Sequence, residues 1–327
     1  GLTTAYLLGK EGQSVVVLED GKLASGMTQV TTAHLSNEID DGFVEMERWH
    51  SAEAVRLAVE SHGAAIDCIE RIDRELGAES DFRRVDAYMF LAPEHEEDYL
   101  DKELAAARRA GMQAEKLPRA PLDGYDTGPC IRYPNQARYH PLKHLAAMTR
   151  AIKRQGERLY TNTHADHIEG GPKAKIEVGP HTVTADAVVV ATNTPINDLV
   201  AIHTKQAPYM TYAIGARVPA GSVPDALYWD TLEAYHYVRL QRMDGNGAMS
   251  RRAHDLLIVG GEDHKTGQAD DIELRHARLE AWARNRFPGM GDVEFTWGGQ
   301  WMETIDGLAF IGRNPMDKEN VFIITGD

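Results

Sequence analysis

At 327 residues, 43% of them hydrophobic and 26% charged, the chain can bury the core of one large domain or of two interleaved ones. Its 50 acidic against 35 basic residues leave a formal charge of -15, which argues against a surface for nucleic acid or an anionic membrane, since both need clustered Lys and Arg. The longest apolar run, Ala187 to Ala191, is far short of the roughly 18 residues of a membrane span, and Cys68 and Cys130 fit neither a disulfide framework nor a metal-ligand spacing, so a cytoplasmic protein with no metal and no membrane partner is expected.

A helix rich in small residues runs from Gly1 to Gly12, which suits a C-cap, and a buried parallel strand from Gln13 to Leu18 is closed by the acid Glu19. In the Gly-x-Gly-x-x-Gly dinucleotide fingerprint the third glycine lets helix and strand pack closely, and an acid roughly 20 residues on binds a ribose hydroxyl. Gly1 and Glu19 fit those two places. The first strand and the two glycines that face the pyrophosphate are then expected upstream of Gly1. A carboxylate at position 19 can accept from both ribose hydroxyls and repels an added 2′-phosphate.

The segment Ala24 to Ser36 is a loop dense in small hydroxyl residues. Residues 43–77 carry apolar positions at helical spacing, end at Gly77 and read as helix-loop-helix, a strand covers Ala87 to Leu91, a helix covers 94–110, and a Pro/Gly-rich connection fills 117–135. His140-Pro141 opens a helix to about Gln155, and Lys175 to Thr184 reads as a hairpin around Gly179-Pro180. Ala187 to Ala191 is a buried strand ending in Thr192-Asn193. Strands follow at 209–218, 226–240 and 255–261, then a helix at 271–287 and a strand at Glu294 to Trp297. On these residues alone a nicotinamide-dependent dehydrogenase and a non-catalytic binding subunit both stay open.

Four blocks in this order, namely the helix-strand-Glu19 start with its Ser/Gly-rich loop, the His140-Pro141 helix, Ala191-Thr192-Asn193, and Trp297 followed by Thr304 to Gly312, resemble the glycine and D-amino-acid oxidase-like family of FAD-dependent oxidoreductases. Val30 to Leu35 and Leu257 to Gly267 resemble the branch in which a Rieske iron-sulfur domain follows the flavin module. No Cys-x-His pair occurs here, so a [2Fe-2S] cluster is expected only in a domain beyond Asp327.

The resemblance implies an α/β fold with a Rossmann-like FAD-binding domain (1–40, 136–200 and 300–327) and an interleaved α+β substrate domain (41–135 and 201–299). It places the hydroxyl-rich loop beside the flavin, with Ser25, Gly26, Thr31, Thr32 and a non-covalent His34 as contacts, because Ser, Thr and free N–H groups hold phosphate or the ring's polar edge without redox chemistry of their own. It also assigns cofactor contacts to Ala165, to Ala191-Thr192-Asn193, where Asn replaces the usual glycine and tolerates a left-handed turn, and to Asp306, Gly307, Gly312, Gly326 and Asp327. Amino-acid oxidases of the family often carry an arginine for the substrate carboxylate where this chain has Trp301. Alternation along Tyr235-His236-Tyr237-Val238-Arg239 puts Tyr235, Tyr237 and Arg239 on one strand face, so Arg239 is the alternative cation, with Tyr237 and Trp301 as further substrate contacts. The implied reaction takes a hydride from a small amine or amino-acid-like donor to the flavin, with electrons passing to oxygen or an iron-sulfur centre and no obligatory acid or base.

Overall fold

The computed structural model describes residues 1–96, 98–196, 200–243 and 254–326. It is a mixed α/β fold. Helix Leu2–Lys10 leads through left-handed Gly12 (φ 77°) into strand Val16–Leu18, which pairs in parallel with Arg158–Tyr160. Helix Pro141–Arg154 precedes that partner, with proline in its first turn where the missing N–H breaks no bond. Ala5 and Tyr6 of the first helix pack with Met148, Ala151 and Ile152 of the second and with Ile72.

A second parallel pair, Val188–Val190 with Val321–Thr325, is extended by antiparallel Phe310–Arg313. His167–Glu169, Ala174–Val178 and His181–Ala185 form a separate three-stranded antiparallel meander. Among the described residues no helix is long and apolar enough to cross a membrane.

The largest sheet has nine strands, in the order 293–304, 206–219, 254–265, 237–241, 227–230, 83–90, 130–138 and 34–35, with 115–117 also beside 130–138. Alternation sends its side chains to two cores. Val85, Ala87 and Met89 meet Phe43, Met46, Leu100 and Tyr133 on one face, while Tyr88 and Phe90 share the other with Tyr212, Ile214, Leu279 and Ala283. The helix Ile272–Arg286 covers the second face, and the first face carries the candidate site.

Two elements differ from their sequence reading. The connection at 117–135 contains most of a strand, Cys130–Arg138, whose Pro134 is accommodated because the pairing slips by one residue between Val85 and Ala87, with Asn135 left-handed at φ 63°. The 226–240 strand is two, Leu227–Asp230 and Tyr237–Gln241, turned back on each other. The 43–77 region, read as helix-loop-helix, is two helices that break at His50-Ser51, where Ser51 Oγ caps the helix Ala52–Leu76 by accepting from Ala54 N–H at 3.2 Å.

Candidate active site

Three groups of the expected residues come together. At the first, Glu19 N–H donates to Tyr160 O and Thr163 N–H to Glu19 O, both at 2.9 Å, so the acid and the Thr163-His164-Ala165 turn share one end of the parallel pair. Glu19 Oε1 accepts from Gly21 N–H at 3.1 Å, and Oε2 takes no hydrogen bond among the described residues. That leaves an acceptor for a hydroxyl pair. Ala165 lines a cleft of about 250 Å³ with Ile168, Ile196, Met316 and Lys318. Ser25 packs its Oγ over Gly21, and Gly26 is exposed with open space around it and an ordinary backbone at φ -82°.

The second group surrounds the first helix's N-terminus. A Cβ on Gly1 would lie 3.7 Å from Ala191 Cβ, which sets the helix start beside the Ala191-Thr192-Asn193 turn. Asn193 is left-handed at φ 63°, the conformation that makes asparagine a workable replacement for glycine there. Its carbonyl accepts from Thr325 Oγ1 at 2.5 Å, and Thr192 Oγ1 donates to Thr194 O at 2.6 Å. Gly326 follows, packed so closely that a Cβ would lie 2.2 Å from Thr304 Cγ2. Asp327 lies outside the described residues. Gly312 pairs with Ile323 and faces open space. The Asp306-Gly307 turn closes instead on residues 41–50, with His50 Nε2 bonded to Asp306 O at 2.7 Å.

The third group is built where the nine-stranded sheet meets the hydroxyl-rich loop. Tyr237 and Arg239 share a face as alternation predicts, and Tyr237 lies flat over Gly260, where a Cβ would fall 2.2 Å from its ring. Tyr237 Oη bonds Thr211 Oγ1 at 2.8 Å, and its ring meets His34 edge-on at 5.3 Å between centroids. Arg239 Nε donates to Thr32 O, while its Nη1 donates to Leu240 O and Gln241 Oε1, each at 3.2 Å. Trp297 Nε1 donates to Val30 O at 2.8 Å, tying the strand 293–304 to the same loop. Trp301 packs on Tyr209 at 5.5 Å between centroids and donates to Asp263. Thr31 Oγ1 accepts from Ala33 N–H at 3.1 Å within the loop, and Ala33 itself is held left-handed at φ 58°.

Asp263 and Thr211 join this candidate site without having been expected from the sequence. Tyr212 pairs with Gly261 but Met210 with His264, so one extra residue is inserted into the strand 254–265. Gly261 (φ 138°) and Glu262 (φ 58°) absorb it. The insertion reverses the alternation, turning Asp263 onto the face of Tyr237 and Thr211, while Glu262 reaches His236 Nε2 at 3.4 Å. Only glycine serves at 261, because a Cβ would stand 2.3 Å from Tyr235 O. The consecutive glycines of Leu257 to Gly267 were the available signal.

Electrostatics follow from burial. His34 is held at a pKa of about 3 by desolvation first and the Arg239 charge second, so its imidazole is neutral near pH 7, and its buried Nε2 has no partner. Burial likewise raises the Tyr237 phenol, which stays protonated. Asp263 is pushed up to about 6 by burial and Asp40, against the opposing Thr211 and Trp301 hydrogen bonds and Arg275 charge. Arg239 is lowered to about 9 by burial and then by Arg138, yet remains a cation at neutral pH.

The sequence matches the FAD dependent oxidoreductase (DAO) family over residues 1–327. The chain belongs to that family. FAD is therefore its cofactor class, and the open Glu19 oxygen, the unpartnered His34 Nε2 and the helix start beside Ala191 are a donor and acceptor set that fits a large polar dinucleotide. Similar solved structures share the fold. Glycine oxidase from Geobacillus kaustophilus superposes with a TM-score of 0.77 at 17% identity, covering 100% of this chain and 86% of its own. L-proline dehydrogenase from P. horikoshii gives 0.74 at 16%, covering 99% and 84%, and the insertion-deleted L-amino acid deaminase from Proteus vulgaris 0.74 at 15%, covering 99% and 81%. A Bacillus subtilis protein named as a Rieske 2Fe-2S iron-sulfur protein, YhfW, is 25% identical over all 327 residues, and the chain spans 62% of that relative's length.

Proposed function

We propose that this DAO-family protein oxidises a small amine or amino-acid-like donor, and that its electrons pass to oxygen or to a [2Fe-2S] centre in a further domain, within the cytoplasm. The observation that carries the reading is the junction at which Trp297 and Arg239 fasten the sheet to the Val30 and Thr32 carbonyls, so that Tyr237, Thr211 and Trp301 face the hydroxyl-rich loop. FAD, when bound, supplies the acceptor for a hydride. The chain's own residues orient the donor and keep water from it. Glu19 would hold the ribose, the 191–193 turn the adenine side, and Thr31, Thr32 and neutral His34 the polar edge of the ring. Residues 1–40, 136–200 and 300–327 form the cofactor part in this reading, and 41–135 with 201–299 the substrate part.

Support for the iron-sulfur branch comes from the name and greater length of the Bacillus subtilis relative. The test is to purify the full-length protein. It should be yellow, carry FAD released on denaturation, and bleach anaerobically with an amine donor; a colourless protein that takes up no FAD would overturn the reading. Oxygen uptake with peroxide formation would identify oxygen as acceptor, and reduction of a cluster signal ahead of oxygen uptake would identify the iron-sulfur route.

A further inference from the structure

We infer that Asp263 is the residue that selects the donor's head group, receiving a cationic amine, so that the site favours amines over carboxylates. The inference rests on the oxidoreductase reading above and narrows its substrate class. Three observations support it. First, the inserted residue at Gly261-Glu262 exists at a backbone cost, with Glu262 left-handed, and its geometric effect is to exchange which acid faces Tyr237 and Thr211.

Second, Thr211 and Trp301 donate to the Asp263 carboxylate, yet Oδ1 is buried with no partner. A buried carboxylate oxygen without a donor is costly, and an ammonium N–H satisfies it with a charge-assisted bond. Third, cations are scarce around it. Arg239 is committed to the Thr32 and Leu240 carbonyls, and Arg275, the basic group that acts on Asp263, also donates to Glu262 O and Asp271. Asp40, bonded by Tyr235 Oη at 2.6 Å, adds negative potential. Trp301 stands where a carboxylate-binding arginine would, and its indole supplies an apolar wall and a donor but no charge.

The test compares n-butylammonium with butyrate on the full-length protein, by calorimetry and, in flavin-loaded protein, by the perturbation of flavin absorbance. Butylammonium should bind saturably and butyrate should not. Asp263→Asn should weaken butylammonium binding by at least about tenfold, the loss expected for one charge-assisted hydrogen bond, while Asp263→Glu should keep part of it. Circular dichroism and flavin content of the Asn variant confirm that it folds. Unchanged amine affinity in Asp263→Asn, or butyrate binding more tightly than butylammonium, would overturn the assignment. Failure of the protein to take up FAD would instead overturn the oxidoreductase reading, because calorimetry reads the amine contrast with or without flavin.

Discussion

Arg239 Nε donates to the carbonyl of Thr32 across 207 residues of sequence, joining a central strand of the large sheet to the hydroxyl-rich loop. A guanidinium occupied in this way positions the loop. Arg239→Met should therefore release Thr31, Thr32 and His34, and FAD affinity should fall by roughly tenfold to a hundredfold, the equivalent of one charged hydrogen bond. Flavin-to-protein ratio after dialysis measures this. Retention of full flavin with only a raised KM would show that Arg239 acts on the substrate instead.

Arg138 is fully buried and grips Asp225 with two bonds of 2.7 Å. Burial raises the Asp225 pKa, but the hydrogen bonds and charge of Arg138 outweigh it and leave it below its ordinary value. Arg242 Nε also reaches Asp225, at 3.0 Å, so Arg138→Met leaves the carboxylate one cation and should cost about 2–3 kcal/mol, the loss of its charged hydrogen bonds, measured by urea unfolding. The double variant Arg138→Met with Asp225→Leu should recover much of the loss.

Asp263 and His34 should tilt stability against pH in opposite directions. Asp263, raised to about 6 from 3.8, holds its proton more tightly folded than unfolded, so its contribution falls as pH rises from about 4 through 6. The difference is on the order of 3 kcal/mol at neutral pH. Asp263→Asn should then raise Tm by several degrees at pH 7.5 and leave it almost unchanged at pH 4. His34, lowered to about 3 from 6.5, takes up its proton less readily folded than unfolded, so stability is lost as pH falls below about 6.5. His34→Gln should flatten that acid limb. Thermal scans of the single variants from pH 3.5 to 8 separate the two slopes.

Gly261→Ala places a Cβ 2.3 Å from Tyr235 O on a backbone at φ 138°. Two separate penalties, steric overlap and an unfavourable dihedral, predict a loss of about 2–4 kcal/mol and a displaced Asp263. Guanidinium unfolding gives the first and butylammonium affinity the second.

The start of the chain was legible because helix period, capping glycine and a closing acid are all written in residue types, and the left-handed Asn193 followed from its place after a buried strand. Tyr237 and Arg239 sharing a face was likewise readable by counting. Asp263 was not, because one inserted residue reverses every inward and outward assignment after it, and the only mark of where that happens is the glycine pair 260–261, which alternation alone does not read. The true partner of Arg239 was hidden for a different reason. It is a backbone carbonyl, which every residue possesses, so no side-chain pattern could point to Thr32. The split of the 226–240 strand was missed because Ala226 to Trp229 and Tyr235 to Arg239 are both rich in the aromatic residues that favour strands, and the turn between them lacks glycine and proline.

Tyr237 resting on bare Gly260 means that the two residues share one volume on the sheet. A methyl added at 260 would overlap the ring and push the phenol off the strand, at the expense of its bond to Thr211, whereas a smaller side chain at 237 would leave a hollow that only a larger residue at 260 could fill. Neither position is an independent handle on the space beside Thr211. Redesign for bulkier donors has to change both at once, and natural variants that alter one should carry a compensating change in the other.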